Sequence, residues 1–519
     1  MKPGFTRQAV SRTVRKYGAI IALAASTLDS RAQLDESLLV VSMREAIDNA
    51  LLQNRQLQIE RINPEIQRSL LRAAYGYYDP LFQTRVHTET AKDTGGFDPA
   101  NFSADAIFDA DSEVASSGLI GFLPSGLTYT LGANYAHSAG TRNFLNFDSY
   151  KVGAAVTVEQ PLLRNFWIDQ PRWLIQVNKR NLKISELGVH FIAMTVVNLT
   201  QQAYYELIFA WDTLRVHQDL LASRRGFLTG IQRQVELGMM TVLEEKIAHS
   251  QLAAVQTDLV AASNAVALAS NNLRTLMGVE ERDWTGELLR PAEVLVTVPE
   301  RFDLTESWRA GLRNRPDLLQ LEMNLQSAEL TVKYRKNQLF PTLNLFGAYS
   351  LKGSDAIQAF PPDDPKASLS LALRQIEAQD QPNSMVGVLF SIPLTSTAER
   401  ANYKMSKELK KQAELLLKQK EELVLREVSD AMDLAKYSYR RAEAARDAVR
   451  FAAGALEAEE QRLQGGTGSI FLVLQAQTDH ARAKIAELLA KRDYNKAISQ
   501  LYFTEGTLLA RIQYDFRFQ

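Results

Sequence analysis

The sequence contains no cysteine among its 519 residues. This absence excludes disulfide bonds, thiolate metal sites and lipid attachment at an N-terminal cysteine. Histidine is scarce as well. The six histidines are scattered, and no two of them stand four residues apart around a glutamate, which is the pattern of a common zinc-binding helix. No metal site and no cofactor are therefore predicted.

An excess of charge of either sign is also missing. The 59 basic and 60 acidic residues leave a net charge of −1, so nothing favours a polyanionic partner such as nucleic acid. Beyond the first 32 residues, the chain has no run of 18 consecutive apolar residues, whereas a membrane-spanning helix needs about 20. An exported protein without such a helix is either soluble or a β-barrel.

Residues 1–32 have the pattern of a signal peptide. Four basic residues between positions 7 and 16 precede the apolar stretch 17–28, and Ser30 and Ala32 provide small residues at the −3 and −1 positions of a cleavage site. The apolar stretch is too short to cross a bilayer as a helix. We expect export and cleavage near Ala32.

Proline is absent between Pro171 and Pro291 and again after Pro393, and both stretches are rich in strong helix formers. Between Leu252 and Leu276, apolar residues recur at alternating spacings of three and four, which indicates a coiled-coil seam. Gly238 and Gly466 interrupt these stretches and mark turns. We predict two antiparallel helical hairpins, each with arms of about 60 to 70 residues, or roughly 100 Å.

The chain also predicts an internal duplication, because four landmarks recur in the same order. The matched pairs are Asn54-Arg55 with Asn314-Arg315, Pro80 with Pro341, Pro161 with Pro393, and Gly238 with Gly466. The first repeat covers residues 33–280 with its hairpin tip near 238. A linker or equatorial segment covers 281–305, and the second repeat covers 306–519 with its tip near 466.

Between the matched prolines, apolar residues alternate with small or polar ones. This pattern predicts strands at about 80–90 and 113–160 in the first repeat and at about 341–350 and 385–393 in the second. A soluble sandwich alternates in the same way as a transmembrane barrel, but the signal peptide and the long helices favour the barrel. Residues 113–138 form either an additional hairpin of two strands or a long loop.

One chain supplies about four to six strands, fewer than the roughly eight that close a small barrel. The barrel must therefore be shared between chains, with closed cyclic symmetry.

The stretch LQGGTGSIFLVLQAQ, residues 463–477, is similar to a phosphate-binding loop. Such a loop follows a strand and ends in Gly-Lys-Ser/Thr, whereas this one lacks the lysine and follows a helical run. It is instead predicted as a hairpin tip. Since the sequence also lacks a nucleophile elbow, no catalytic residue is predicted and the protein is not expected to be an enzyme.

These features together resemble the TolC-like outer-membrane efflux proteins, the outer membrane factor family. The resemblance covers nearly the whole mature chain and rests on the duplicated order of elements, on NRPDL at 314–318, on the proline that ends each second strand and on the paired tips. Family members are trimers with a twelve-strand barrel. The resemblance implies an α+β membrane protein in which a shared trimeric transmembrane β-barrel continues into a long α-helical coiled-coil periplasmic barrel.

The resemblance further implies a homotrimer in the outer membrane of a Gram-negative-type bacterium, in contact with outer-membrane lipid and extending into the periplasm. Its role would be the passive exit duct of a tripartite efflux or type I secretion system, docked to a periplasmic adaptor and an inner-membrane pump. The implied docking residues at the two tips are Leu237, Gly238, Met239, Gly465, Gly466 and Thr467. The alternative is a soluble periplasmic coiled-coil scaffold or adaptor without a pore.

TolC itself narrows its periplasmic mouth with carboxylates six and nine residues after the second tip glycine. Leu472 and Gln475 stand at those positions, so that acidic ring is absent here. The first tip retains Glu244 at the six-residue position, with Glu245 beside it. These two carboxylates either face the lumen of the periplasmic entrance and favour cations, or lie on a solvated helix face.

Overall fold

The computed structural model describes residues 38–98, 103–104, 107–280, 284 and 287–513. The expected signal peptide, residues 1–32, lies outside the described residues. In chain order the elements are β1 (Leu39–Val41), α1 (Met43–Gln53), α2 (Arg55–Tyr75), a 3₁₀ turn (Gly76–Tyr78), β2 (Leu81–Asp93), β3 (Phe97–Asp98), β4 (Ser103–Ala104), β5 (Phe108–Phe122), β6 (Thr128–Arg142), β7 (Leu145–Pro161), α3 (Gln170–Glu236), α4 (Val242–Met277), β8 (Leu289–Pro291), α5 (Leu304–Asn314), α6 (Pro316–Asn337), β9 (Thr342–Ala359), α7 (Leu369–Glu377), β10 (Pro382–Ser391), α8 (Thr397–Gln464), α9 (Ile470–Thr504) and α10 (Leu508–Arg511).

The order of these elements is repeated within the chain. Each repeat contains a helix of 11 residues, a helix of about twice that length, long strands, a helix of 67 or 68 residues and a helix of 36 or 35 residues. Asn54 follows the first short helix and Asn314 ends the second. The duplicated landmarks of the sequence therefore fall at equivalent places in the structure.

The chain packs as two compact units. One comprises the residues up to Gln58 together with 192–311 and 426 onward, and the other comprises 59–191 and 312–425. The second unit contains a six-stranded antiparallel sheet in the order β10-β9-β7-β6-β5-β2. Residues 108–122 and 128–142 are strands of this sheet, so the stretch that the sequence left open forms a hairpin and not a loop.

The two faces of the sheet differ in polarity, because side chains alternate along each strand. One row of directly paired residues crosses five strands on the face that we call the apolar face: Phe82, Leu119, Leu131, Val156 and Tyr349. A second row crosses the same strands on the opposite face, which we call the polar face: Arg85, Ser116, Asn134, Gly153 and Lys352.

Helix α7 packs on the apolar face near the end of β9. A Cβ at Gly353 would lie 1.9 Å from the carbonyl oxygen of Ala372, so glycine is what permits this close approach. Two carboxylates of the same face accept backbone N–H bonds just before the helix, Asp148 from Ala367 at 2.8 Å and Asp355 from Ser368 at 2.6 Å. Helix α7 therefore covers two of the polar groups on this face.

The first unit has a core of long helices. Val266 and Leu273 of the predicted seam on α4 are fully buried and pack in one cluster with Tyr204 and Leu207 of α3. The periodicity of the sequence thus identified the buried face of α4 correctly.

The predicted arm lengths are right for only one arm of each hairpin. Helices α3 and α8 have 67 and 68 residues, but the returning arms α4 and α9 have only 36 and 35. In the second unit, the early parts of α3 and α8 pack instead against α6: Trp173 donates to Thr331 at 3.2 Å and stacks on Tyr334, and Lys410 pairs with Glu329 at 3.2 Å. A separate helix therefore takes the place that a longer returning arm would occupy.

By length and composition alone, two of the described helices, α3 and α4, contain a stretch apolar enough to cross a membrane. Both helices also bury apolar side chains against each other in the first unit. Within one chain, 33% of the apolar stretch of α3 and 22% of that of α4 are buried.

The NRPDL motif connects the start of α6 to α8. Pro316 occupies the first turn of α6, where its missing N–H is not needed. The Asp317 carboxylate lies 2.7 Å from both the guanidinium of Arg315 and the ammonium of Lys420. Burial pushes the pKa of Asp317 upward, but the hydrogen bonds and charges of these two cations outweigh it and hold that pKa below its ordinary value.

We expect Asp317→Asn to lower the free energy of unfolding by about 2 kcal/mol, because the charge-assisted hydrogen bonds from Arg315 and Lys420 are weakened or lost. Because folding lowers the pKa of Asp317, its contribution to the free energy of unfolding is fully present above pH 3.8, the ordinary pKa value. This contribution is lost as the pH falls through the pKa of the folded state. Thermal unfolding of the purified protein at pH 7 and below pH 4 measures both effects. Asp433→Asn, at an exposed position of α8, is the control, and an equal loss there would contradict the assignment.

Candidate functional site

The first hairpin turns at Leu237, Gly238 and Met239, between α3 and α4. Gly238 has a left-handed backbone with φ of 72°. Its N–H donates to the carbonyl of Val235 at 2.9 Å, and the N–H of Met239 donates to that of Gln234 at 2.8 Å. This pair of bonds is the Schellman motif, which satisfies the last carbonyls of a helix and requires a residue with positive φ.

The second hairpin turns at Gly465, Gly466 and Thr467 with the same backbone. Gly466 has φ of 75°. Its N–H donates to Leu463 at 3.1 Å, and that of Thr467 donates to Arg462 at 3.0 Å. The two glycines that the repeat comparison matched, Gly238 and Gly466, are therefore geometrically equivalent.

Gly468 has a steric role that the sequence interpretation missed. Its N–H also donates to the carbonyl of Arg462, at 2.9 Å, and a Cβ at this position would lie 2.5 Å from the backbone nitrogen of Leu463. Such a distance is not tolerated, so only glycine fits. The sequence contained a sign of this tight turn, because three glycines occur within four positions. A tight turn explains such a cluster as well as a phosphate loop does.

The tips expose apolar side chains. Leu237 and Met239 have exposed fractions of 68% and 74%. Val242, Leu243 and Phe471, at the starts of the returning helices, are also more than half exposed. Exposed apolar groups that cluster in this way are typical of a surface that contacts a partner.

Behind the exposed residues, one buried cluster joins the two hairpins. Its buried members come from three helices: Leu228, Ile231, Ala248, Ile470 and Leu474. The structure thus brings together two tips that are more than 220 residues apart in the sequence.

Arg224 strengthens this junction and was not identified from the sequence. Its side chain is 2% exposed, and its Nη2 donates to the carbonyl of Leu474 at 2.5 Å and to the hydroxyl of Thr478 at 2.7 Å. Its Nε and Nη1 have no partner among the described residues. Burial lowers the pKa of the Arg224 guanidinium. A buried arginine between α3 and α9 fixes the contact of the two hairpins, because it cannot shift without losing both bonds.

The structure gives Glu244 a local role. Thr241 is the N-cap of α4, and the Glu244 carboxylate accepts the Thr241 N–H at 2.8 Å. These residues form a capping box, in which a glutamate three residues after Ser or Thr satisfies a helix N-terminus. The Thr-x-x-Glu spacing is visible in the sequence and would have predicted this bond.

The other expected entrance residues have partners within their own hairpins. Glu245 accepts a bond from Gln232 at 3.2 Å and lies 3.6 Å from His249. The Gln475 amide donates to the Asp479 carboxylate at 3.1 Å. Leu472 is 42% exposed and occupies the position of the second tip that Glu244 occupies in the first.

The profile of the outer membrane efflux protein family matches residues 121–279 and 309–507, which is more than half of the chain. The protein belongs to this family. It is therefore an outer-membrane protein, in a family that consists of channel proteins and not of enzymes.

The curated relatives are distant. A probable outer membrane lipoprotein of Salmonella typhimurium, SilC, is 19% identical over 190 residues, and so is the cation efflux system protein CusC of Escherichia coli O6:H1. Each alignment covers 36% of this chain and 39% of the relative.

Solved structures of membrane proteins share the fold over most of the length of this chain. The crystal structure of CusC has a TM-score of 0.63 at 16% identity and covers 89% of this chain and 92% of CusC. A membrane protein of Pseudomonas aeruginosa has a TM-score of 0.64 at 18% identity and covers 98% of this chain and 97% of its own. At these identities the likeness concerns the fold alone.

We expect Gly468→Ala to destabilise the second tip, because its Cβ would meet the backbone of Leu463. Gly465→Ala is the matched control: its Cβ would be 3.4 Å from the nearest atom, so it should be neutral or stabilise by about 0.5 kcal/mol. Trypsin cleavage after Arg462 reports the opening of the tip. Faster cleavage is expected for Gly468→Ala only, and equal rates for the two variants would contradict the steric role.

Proposed function

We propose that the protein is the outer-membrane channel of a tripartite efflux or type I secretion system. Three copies would form a passive exit duct, without catalysis, that docks through its hairpin tips to a periplasmic adaptor and an inner-membrane pump. The observation that carries this proposal is the six-stranded sheet, which has one apolar face. The outer edges of its first and last strands, β2 and β10, pair with no described strand.

The apolar face supports a position in lipid. Phe82, Val86, Val386 and Phe390 all lie on this face, and their exposed fractions range from 61% to 82%. On β9 the apolar positions run from Leu343 to Leu351, which corresponds to roughly 20 Å along the axis of a tilted barrel and approaches the height of a transmembrane apolar band. In water, such a face would be a large aggregation hazard.

The long helices support a duct that reaches far beyond the bilayer. Helix α3 begins at Gln170, shortly after β7 ends at Pro161, and continues without a break to Glu236. At 1.5 Å per residue, its 67 residues extend roughly 100 Å, about three times the thickness of a bilayer core.

The alternative, a soluble periplasmic scaffold or adaptor, is not favoured. A scaffold needs the helices but has no use for a sheet whose exposed apolar face is continuous over five strands. Membership of an outer-membrane family also weighs against it.

Docking to the adaptor would involve the exposed apolar residues of the tips. We expect Met239→Glu to leave assembly unchanged, because this side chain is 74% exposed, and to reduce transport by roughly tenfold or more, since a charge would be buried against an apolar partner. Transport across both membranes of a reconstituted tripartite system measures this effect. Ser250→Glu adds the same charge at an exposed position of α4, and an equal loss there would argue against docking at the tip.

The entrance would take its ion preference from the first tip. Three copies of Glu244 around a narrow axis would attract cations, even though each carboxylate also caps its own helix. Leu472 stands three residues after Ser469, the N-cap of α9, just as Glu244 stands three residues after Thr241, the N-cap of α4. The second tip therefore offers an equivalent position that carries no charge.

Two substitutions test the entrance. Glu244→Gln removes the charge but keeps the capping box, which accepts Gln as well as Glu, so cation over anion permeability should fall by roughly twofold. Leu472→Glu adds a charge and a capping box, so the ratio should rise. Reversal potentials of planar bilayers under a salt gradient measure both. If neither variant shifts the potential, Glu244 lies on a solvated face away from the lumen.

A further inference from the structure

We propose that the transmembrane barrel has eighteen strands, six from each of three copies, with β5 and β6 as part of its wall. This inference rests on the proposed function. The resemblance noted from the sequence implies twelve strands, four from each chain, whereas the described sheet of one chain has six.

The two added strands are fully integrated into the sheet. Strand β5 pairs with β2 over the whole length of β2, from Leu81 opposite Ile120 to Asp93 opposite Phe108. Strands β5 and β6 have 15 residues each, comparable to the 17 of β7. A flap over the surface would not need an unbroken ladder of hydrogen bonds on both sides.

Over residues 115–121 of β5 and 129–135 of β6, the side chains follow the two faces of the neighbouring strands, whereas the carboxylates that share the face of Leu119 (Asp109, Asp111 and Glu113) lie nearer the other end of β5. Leu119 and Leu131 belong to the apolar row, while Ser116 and Asn134 belong to the polar row. A hairpin that lay inside the lumen would have water on both faces and no reason for an apolar one. The alternation is what a strand with lipid on one side and water on the other requires.

The insertion also leaves the closure of the barrel unchanged. The added strands lie between β2 and β7, so the free edges of the sheet remain β2 and β10. The register continues across the insertion, because Leu81 pairs with Ile120, Ile120 with Thr130 and Thr130 with Thr157. With or without β5 and β6, the same two edges are available to pair with the neighbouring copies.

Eighteen strands would enclose a wide lumen. At about 4.8 Å between strands and a tilt of about 40°, the diameter between backbones is roughly 35 Å, against roughly 24 Å for twelve strands. The polar face of the added strands is lined mainly by small residues, such as Ser116, Gly118, Gly132 and Ala136, which leave that width open. The barrel is then not the size filter of the duct, and selection by size belongs to the entrance at the hairpin tips.

The lack of native cysteine permits a direct test with two adjacent serines of β5. Ser116 lies on the polar face, and Ser117 lies on the apolar face, where it is 3.0 Å from Thr84. In trimers inserted in vesicles, a maleimide carried on a water-soluble polymer should label Ser116→Cys at least roughly tenfold faster than Ser117→Cys, because lipid shields the apolar face. Equal labelling of the two variants would overturn the placement of β5 in the wall.

The diameter of the wild-type barrel gives an independent measurement. Electron cryomicroscopy of the protein in lipid nanodiscs should show eighteen strands and a barrel roughly 35 Å wide. A barrel of twelve strands, with β5 and β6 outside the wall, would overturn this inference but leave the proposed function intact. A protein that neither inserts into lipid nor forms trimers would overturn both.

Discussion

Among the strands that the structure describes, none pairs with the outer edges of β2 and β10. Each edge presents a row of backbone N–H and C=O groups, and in hydrocarbon every unsatisfied group costs several kcal/mol. The apolar face prevents the sheet from remaining in water, and the open edges prevent it from entering lipid alone. In the proposed trimer, β2 of one copy would pair with β10 of the next, which would satisfy both edges and allow the apolar face to enter lipid. Assembly and membrane insertion would then be physically coupled.

Alternation along the chain was enough to predict that strands occur and which residues share a face. It was not enough to predict how many strands form the sheet, because residues 113–138 are compatible with a loop or with a hairpin. The difference lies in pairing across the sheet: Leu119 gains apolar neighbours only when Leu131 and Phe82 stand beside it. Such pairs depend on register, and register is not a local property of a sequence.

The hairpin tips show the same division between local and long-range information. Gly238 and Gly466 could be located from the repeat, because a turn with positive φ selects glycine locally. The shorter lengths of the returning arms α4 and α9 could not be predicted from the sequence, since they depend on the packing of α6 against the early parts of α3 and α8. Arg224 was hidden for the same reason: its partners, Leu474 and Thr478, are about 250 residues away. The Glu244 cap, by contrast, is a local pattern that the sequence already contained.

The two tips share a backbone but differ in chemistry. The first carries the exposed side chains of Leu237 and Met239 and the carboxylate of Glu244, while the second has glycine, threonine and leucine at the equivalent positions. In a ring of three copies, the six tips would therefore alternate between two kinds. An adaptor that contacts the backbone of the turns would meet six equivalent sites, whereas one that contacts side chains would distinguish three from three. In such a trimer the duplication would supply the geometry of a sixfold ring, and the divergence of its side chains would reduce the chemical symmetry to threefold.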